Sequence, residues 1–458
     1  MKPAAFSVTL LFALYPVLLF SARFRSVEIQ VEQTGPLSVS AAIVVYIPNS
    51  ESMIDAFRES LFLHWGDDDV SEVPIVNGTD EDGDGVLDGE PIEPGFRKYV
   101  YAGEHIYSQA GRYVLSVENP NRLPGILNLN FPNSVSIPVY TETEIEVFAN
   151  STRNSTPVLL EPGGVDQAHS GLNYLHLPNA YDHDDDSIAY QLIVPLQGPD
   201  DPIPNYFGIG DLATIDSEKG IFNFSNAQEG MYGFAIQINS YRNGVLQDRM
   251  IRDITFFNRP INANSPPTIS VDTPLEIIQE VNIGDTVRFQ CTVADSPGQT
   301  IRLSATSGLF SYIDAPATFT VEQDIGTFEW IVRDEHARTQ AYPVVIKAED
   351  DLDEFAATNF ALIRYRVNGG VVRTNEPVVG AWLVYPNPVS DELFLRAPGV
   401  DFPLPITYKI FNTSGQLVAQ ARLNNWSARI DVASLASGTY FLQLETAEQQ
   451  WTEPFVKR

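Results

Sequence analysis

The chain of 458 residues carries a single cysteine, Cys291. That excludes an intramolecular disulfide framework and any zinc site built on several thiolates. Basic residues are scarce. Lys and Arg number 28 against 59 Asp and Glu, for a formal net charge of -31. Nucleic-acid binding requires the opposite sign, as does docking on an anionic lipid surface. Helical periodicity is nearly absent; Ser52–Leu63 is the best window for it. Past residue 22, no run approaches the roughly 18 apolar residues of a membrane-spanning helix, which predicts a soluble mature protein. The short motifs G-x-S-x-G, H-E-x-x-H, G-x-x-x-x-G-K-(S/T) and G-x-G-x-x-G do not occur.

What is present suits β-structure. Hydrophobic residues make up 44%, with 32 prolines and 30 glycines, enough apolar surface for real cores and enough breakers for many short strands. Tyr113, Leu115 and Val117 alternate onto one face, as do Val287, Phe289, Cys291 and Val293. Cys291 therefore reads as a buried core thiol rather than a nucleophile. At the N-terminus, Lys2 precedes an uncharged run from Ala4 to Phe20, then Ser21-Ala22 and Arg23. This pattern predicts a signal peptide over residues 1–22. The rival, an uncleaved anchor, is disfavoured by Pro16 within a run near the minimum spanning length.

Three polar stretches, Asn150–Pro157, Asn258–Pro267 and Asn368–Gly380, read as linkers. They divide the rest into modules over 23–149, 150–260 and 261–372, followed by a linker and terminal domain over 373–458. Each piece has the size of a β-sandwich. The fold class expected is all-β: three tandem immunoglobulin-like sandwiches plus a C-terminal sandwich.

In the first module, His64-Trp65-Gly66-Asp67 is followed by His105-Ile106-Tyr107 and Gly111-Arg112-Tyr113-Val114-Leu115. This resembles the PKD (polycystic kidney disease) domain, although Asp68 stands where that family has a second glycine. The resemblance makes Trp65 a core residue and His105 a structural hydrogen-bonder. The second module has Asp182-His183-Asp184-Asp185-Asp186-Ser187-Ile188-Ala189-Tyr190, then Ile215-Asp216 and Gly230-Met231-Tyr232-Gly233-Phe234. It is similar to bacterial cadherin-like domains. The third repeats part of that plan in Ile283-Gly284-Asp285 and Gly326-Thr327-Phe328, so the two read as divergent copies.

The last piece contains Tyr385-Pro386-Asn387-Pro388, then Asn412-Thr413-Ser414-Gly415, then Leu435-Ala436-Ser437-Gly438-Thr439-Tyr440, and closes on Lys457-Arg458. It closely resembles the type A C-terminal sorting domain of the bacterial type IX secretion system. The resemblance implies a Gram-negative bacterium, export across both membranes, and partners in the type IX machinery and its sorting protease. The product is then released or held at the cell surface. From Leu383 onward there are seven acids and six bases, so nearly all of the acidity lies upstream.

Two acidic segments read as candidate calcium ligands. In Thr79–Glu90, Asp80, Asp82 and Asp84 alternate, Gly85 permits a turn, and Asp88 and Glu90 follow. Alternate carboxylates on a turning loop converge on one point, as calcium's six to eight oxygen ligands require. The segment resembles EF-hand and dockerin loops, but Pro91 stands where those have a bidentate glutamate. Asp182, Asp184 and Asp186 form the second candidate, with cadherin-like use of such carboxylates as the implied role. The bland alternative for both is a solvated acidic turn.

The reading that results is a non-enzymatic secreted or cell-surface protein. Its modules bind an extracellular glycan or protein, or act as a spacer. A carbohydrate-active hydrolase and a structural or gliding-associated surface component are the alternatives.

Overall fold

The computed structural model describes residues 24–458 except 50–58, 82, 84, 93–94, 151, 226, 261–263, 297–298, 313–315, 352–355, 369–382, 386–388, 390, 397–404, 413–415, 425–426 and 446–449. The signal-peptide call on 1–22 lies outside the described residues. Among those described, the architecture is strands, with three short 3-10 turns. Ser52–Leu63 runs partly outside them. Its last residues fall within the strand Ser60–His64, where Leu61 and Leu63 are buried and Phe62 is 58% exposed. That local period of two overrides the looser spacing of three to four upstream.

The first module curls around one core. One half-sheet runs Val70–Pro74, Ser60–His64, Gly111–Asn119, Val139–Val147. The other runs Ser26–Gly35, Ser38–Pro48, Phe96–Ile106, Glu90–Ile92. A single cluster including Ile29, Ile43, Leu63, Trp65, Tyr101, Leu115 and Ile145 takes side chains from both.

The strand Val245–Arg259, which the sequence reading assigns to the second module, joins the two halves. It pairs with the first through Asp248↔Ile145 and with the second through Ser26↔Ile254. It also forms the long antiparallel hairpin of the second module with Gly230–Arg242, which in turn pairs with Ser187–Ile193. The sheet is thus continuous across the stretch read as a linker at Asn150–Pro157. Within that stretch, the Thr156 hydroxyl accepts the Val31 N–H at 2.9 Å. The first two pieces are therefore not separate beads, because neither of their facing edges is complete alone.

Buried charge fastens this joint. Arg252 donates to both carboxylate oxygens of Glu28, at 2.5 and 2.8 Å, and to the Glu161 carbonyl at 2.7 Å. Both side chains of the Glu28–Arg252 pair are fully buried. Arg122 grips Asp253 in the same bidentate way, at 2.8 and 2.6 Å. Paired and fully hydrogen-bonded is the condition under which a buried charge is tolerated.

The third module has immunoglobulin topology in its strand order. One sheet runs Thr268–Val271, Thr286–Ala294, Ile325–Ile331, Thr318–Glu322. The other runs Ile278–Asn282, Thr358–Asn368, Tyr342–Asp350, Ile301–Thr306, with the first pair parallel. This is the ABED plus GFC arrangement with an added parallel edge strand. Cys291 is fully buried between Phe289 and Val293 on the inward face, as alternation requires. The second module has a different strand order, with its long hairpin flanked by small sheets such as Tyr174–His176, Phe222–Phe224, Ala213–Ile215. The sequence likeness of these two modules is thus one of local turns and not of strand order.

The C-terminal module packs Leu383–Tyr385, Glu392–Arg396 and Ser427–Asp431 against the sheet Leu417–Leu423, Ile406–Asn412, Gly438–Glu445, Gln450–Lys457. Its own core includes Val389, Leu395, Ile410, Leu442 and Phe455. One device recurs in three modules. Tyr113, Tyr232 and Tyr440 each donate their hydroxyl to the carbonyl four residues upstream, at 2.8, 3.0 and 2.8 Å. Each follows a Gly-x step, and this tyrosine corner pins a strand entry. At Gly230 the step also needs glycine. Its φ is +145°, and a Cβ there would sit 2.4 Å from Leu127 Cδ1.

Candidate functional site

The Asp182–Asp186 loop sits where the second module meets the third, and its carboxylates face two ways. Asp185 adopts φ 64° and points outward. It accepts from Arg338 Nε at 3.1 Å, Thr339 N–H and hydroxyl at 2.8 Å each, and Gln340 N–H at 3.0 Å. The Arg338 guanidinium lies over the rings of Tyr181 and Tyr342, 4.7 and 5.1 Å from their centroids. Tyr181 itself enters the third module's core. Gly308 makes room for it, since a Cβ there would fall 2.2 Å from the Tyr181 ring.

On the inner side, Asp182 and Asp186 meet Asp248, which the sequence reading did not select. One carboxylate oxygen of each lies within 4.8 Å of the other two. All three are buried, at 0%, 2% and 0% exposure. Asp182 Oδ1 accepts the N–H groups of Asp184 and Asp186, at 2.8 and 3.1 Å. Asp248 Oδ1 accepts the Ser240 hydroxyl at 2.6 Å. Arg242 holds Asp186 with Nε and Nη2, at 2.7 and 2.9 Å. Asp184 turns aside to the Ser155 hydroxyl at 2.7 Å, with Arg242 3.8 Å away. Burial, then Asp184 and Asp186, push the Asp182 carboxyl up to about 8. Burial likewise drives Asp248 well above the carboxylate range.

The signal for Asp248 was the hairpin. Asn243-Gly244, both at positive φ, form a two-residue turn that pairs Tyr241 with Leu246, and a register shift just beyond it places Ser240 opposite Asp248. A charged residue on the way to buried Met250 and Ile254 then required a partner.

The other calcium candidate looks different. Asp82 and Asp84 lie outside the described residues. Asp80 is exposed, and its carboxylate accepts the N–H groups of Gly83 and Gly85, at 2.6 and 3.0 Å. Asp88 accepts the Glu81 N–H at 2.7 Å, while Glu81 pairs with Arg97. Glu90 is exposed in a strand opposite Lys98. His105 bonds Asp67 Oδ2 through Nε2 at 2.7 Å and stacks on the buried Trp65 ring, 4.9 Å between centroids. With Asp69 these form a second, partly exposed group with ligand atoms within 4.8 Å.

A buried ionic cluster also spans the junction. Lys347 Nζ lies 2.5 Å from Asp166 Oδ1 and 3.4 Å from Glu349, with His176 3.8 Å from Asp166. Glu161 accepts the Thr306 hydroxyl. Burial pushes its carboxyl up to about 7, against the pull of Lys347. A folded-state value above the unfolded one means that folding takes up a proton, so this group's contribution is lost as pH rises from about 4.5 to about 7. Across that window the chain should lose about 3 kcal/mol from Glu161. Chemical denaturation of Glu161→Gln at several pH values should show a correspondingly shallower decline; an unchanged slope would remove Glu161 from the account.

A cavity of about 210 Å³ opens between the second and third modules. Its acids are engaged: Asp182 by backbone N–H groups, Asp186 by Arg242, and Glu218 by Arg364 at 2.7 Å.

In the terminal module, the structure brings the two ends of the sorting signature together. Val389 N–H donates to the Val456 carbonyl at 2.8 Å, and Arg458 N–H to that of Val389 at 2.9 Å. Lys457 is buried, with Nζ 2.6 Å from the Arg458 carbonyl. Tyr440 stacks on Phe455, and Leu435 packs against the same core. Gly438 opens a strand, and Tyr385 lies in the strand that pairs with Glu392–Arg396. Pro386, Asn387, Pro388 and Gly415 lie outside the described residues. On either side of residues 413–415, the Asn412 side chain accepts the Gln416 N–H at 3.0 Å.

No curated protein sequence matches the chain. Among solved structures, a three-immunoglobulin-domain fragment of the titin I-band is 13% identical. It covers 66% of this chain and 98% of its own length, with a TM-score of 0.18. The N-terminal two-immunoglobulin module of the Drosophila receptor protein tyrosine phosphatase DLAR is 15% identical. It covers 42% of this chain and 98% of its own, with a TM-score of 0.17. The immunoglobulin assignment of the third module rests on its strand order. Residues 383–458 match the family model of the secretion system C-terminal sorting domain. The chain therefore carries a C-terminal sorting domain of the type IX secretion system and is exported to the cell surface or the extracellular space.

Proposed function

We propose that the exported part is a non-enzymatic stalk whose fused modules hold a binding face for an extracellular glycan or protein away from the cell. The supporting observation is the way the modules are joined. The first two share the strand Val245–Arg259, and the third is docked through Asp185, Arg338 and Tyr181. A stalk needs junctions that resist bending, and buried ion pairs with a shared strand supply them better than a polar linker. In this reading a signal peptide over residues 1–22 opens the route, and a sorting protease of the export machinery removes the terminal module.

The test uses the secreted chain on polysaccharide, peptide and ester substrates, and on glycan and protein arrays. Saturable binding without turnover supports the reading. Turnover that vanishes on changing one carboxylate overturns it in favour of a hydrolase.

A further inference from the structure

We propose that Asp182, Asp186 and Asp248 bind a divalent cation of the calcium class at the base of the loop that docks the third module. Three observations carry this independently of the stalk reading. First, three buried carboxylates from two elements converge on one point. Second, Asp182 Oδ2 and Asp248 Oδ2 are buried with no hydrogen-bond partner. Each of these carboxylates is held by its other oxygen, through backbone N–H groups for Asp182 and the Ser240 hydroxyl for Asp248. The free oxygens are thus fixed in place by the bonds their twins make. Third, Arg242 pairs with Asp186 and lies 3.8 Å from Asp184, and among the described residues no ion pair reaches Asp182 or Asp248.

A buried carboxylate oxygen with no donor is costly, and several together repel. A bound dication removes both penalties. The donor set chooses the metal. All of the oxygens are hard, with no imidazole or thiolate among the three, which disfavours zinc and copper. Magnesium keeps several waters in a strict octahedron, whereas calcium accepts irregular, mainly protein-borne oxygen shells. The cavity between the modules is lined by Asp182, Asp186 and Ser187 and gives the ion a way in. The consequence is mechanical. The loop that takes the ion with Asp182 and Asp186 presents Asp185 to Arg338, Thr339 and Gln340. Filling the site stiffens the loop and with it the junction.

The probe is calcium chloride alone, titrated to about 10 mM because extracellular sites often bind near 10⁻⁴–10⁻³ M. The whole secreted chain carries Asp69→Ala, Asp80→Ala and Asp88→Ala, so that the two more exposed acidic groups are disabled. Equilibrium dialysis should then count one saturable site, and the melting temperature should rise with calcium. Adding Asp248→Asn keeps the shape and deletes one charge. It should raise the calcium-free melting temperature, weaken binding at least about tenfold and abolish the calcium-dependent rise. Asp182→Asn carries the same expectation and decides the matter if the Asp248 variant does not fold. No saturable binding in the parent, or undiminished affinity in the substituted chain, overturns the proposal.

Discussion

Deletion of residues 383–458 is expected to leave the remainder of the chain in the periplasm. The physical basis is that sorting and folding are separable here. Among the described residues, the terminal module's core runs from Val389 to Phe455 and takes no side chain from upstream. Removing it should leave the melting behaviour of the other modules unchanged while the exported fraction falls to background. Cell fractionation, with circular dichroism on the periplasmic product, reads both quantities. A folded, truncated chain that still reached the medium or the cell surface at normal levels would contradict the role of this domain.

Arg252→Ala should produce the largest loss of stability. The substitution strands the Glu28 carboxylate in a fully buried site and removes the donor to the Glu161 carbonyl. Breaking a buried ion pair by deleting one partner costs about 3–5 kcal/mol, mostly from the uncompensated charge left behind. Because Arg252 lies on the strand that completes the first module and builds the second, both should weaken together. Calorimetry should show one shared transition of these two modules moving down, with the terminal module unaffected. If the change were below about 1 kcal/mol, or the first module melted separately at its original temperature, the shared strand would not be the joint described above.

What the sequence disclosed was local. Alternation at Tyr113–Val117 and Val287–Val293 gave inward faces because side-chain direction in a strand depends only on parity. The Gly438-x-Tyr440 step and the basic ending announced the terminal module because they are turn chemistry, fixed within a few residues. The helical spacing of Ser52–Leu63 runs at its end into a strand, Ser60–His64, while residues 52–58 lie outside the described residues. The continuity of the first two modules was not legible, since pairing Ser26 with Ile254 leaves no trace near either residue. Asp248 was missed for the same reason. Asp182, Asp184 and Asp186 looked like one set by spacing, but the loop turns Asp184 toward Ser155 and Asp185 toward the next module. The third ligand arrives from a hairpin about sixty residues downstream, where a register shift between Ser240 and Tyr241, which the Asn243-Gly244 turn does not record, brings Asp248 opposite Ser240.

The shared strand also sets a timetable. Until residues 245–259 have been made and delivered, the edges at Ser26–Gly35 and Val139–Val147 have no neighbour to satisfy their backbone groups. The N-terminal module cannot be finished while the chain is only half made, although most of its core is already present. Such long-range closure is slow, because the loop entropy is lost before the contacts are gained. The first 240 or so residues therefore cannot complete this sheet by themselves. The chain commits to its final shape only when one late segment closes two modules at once.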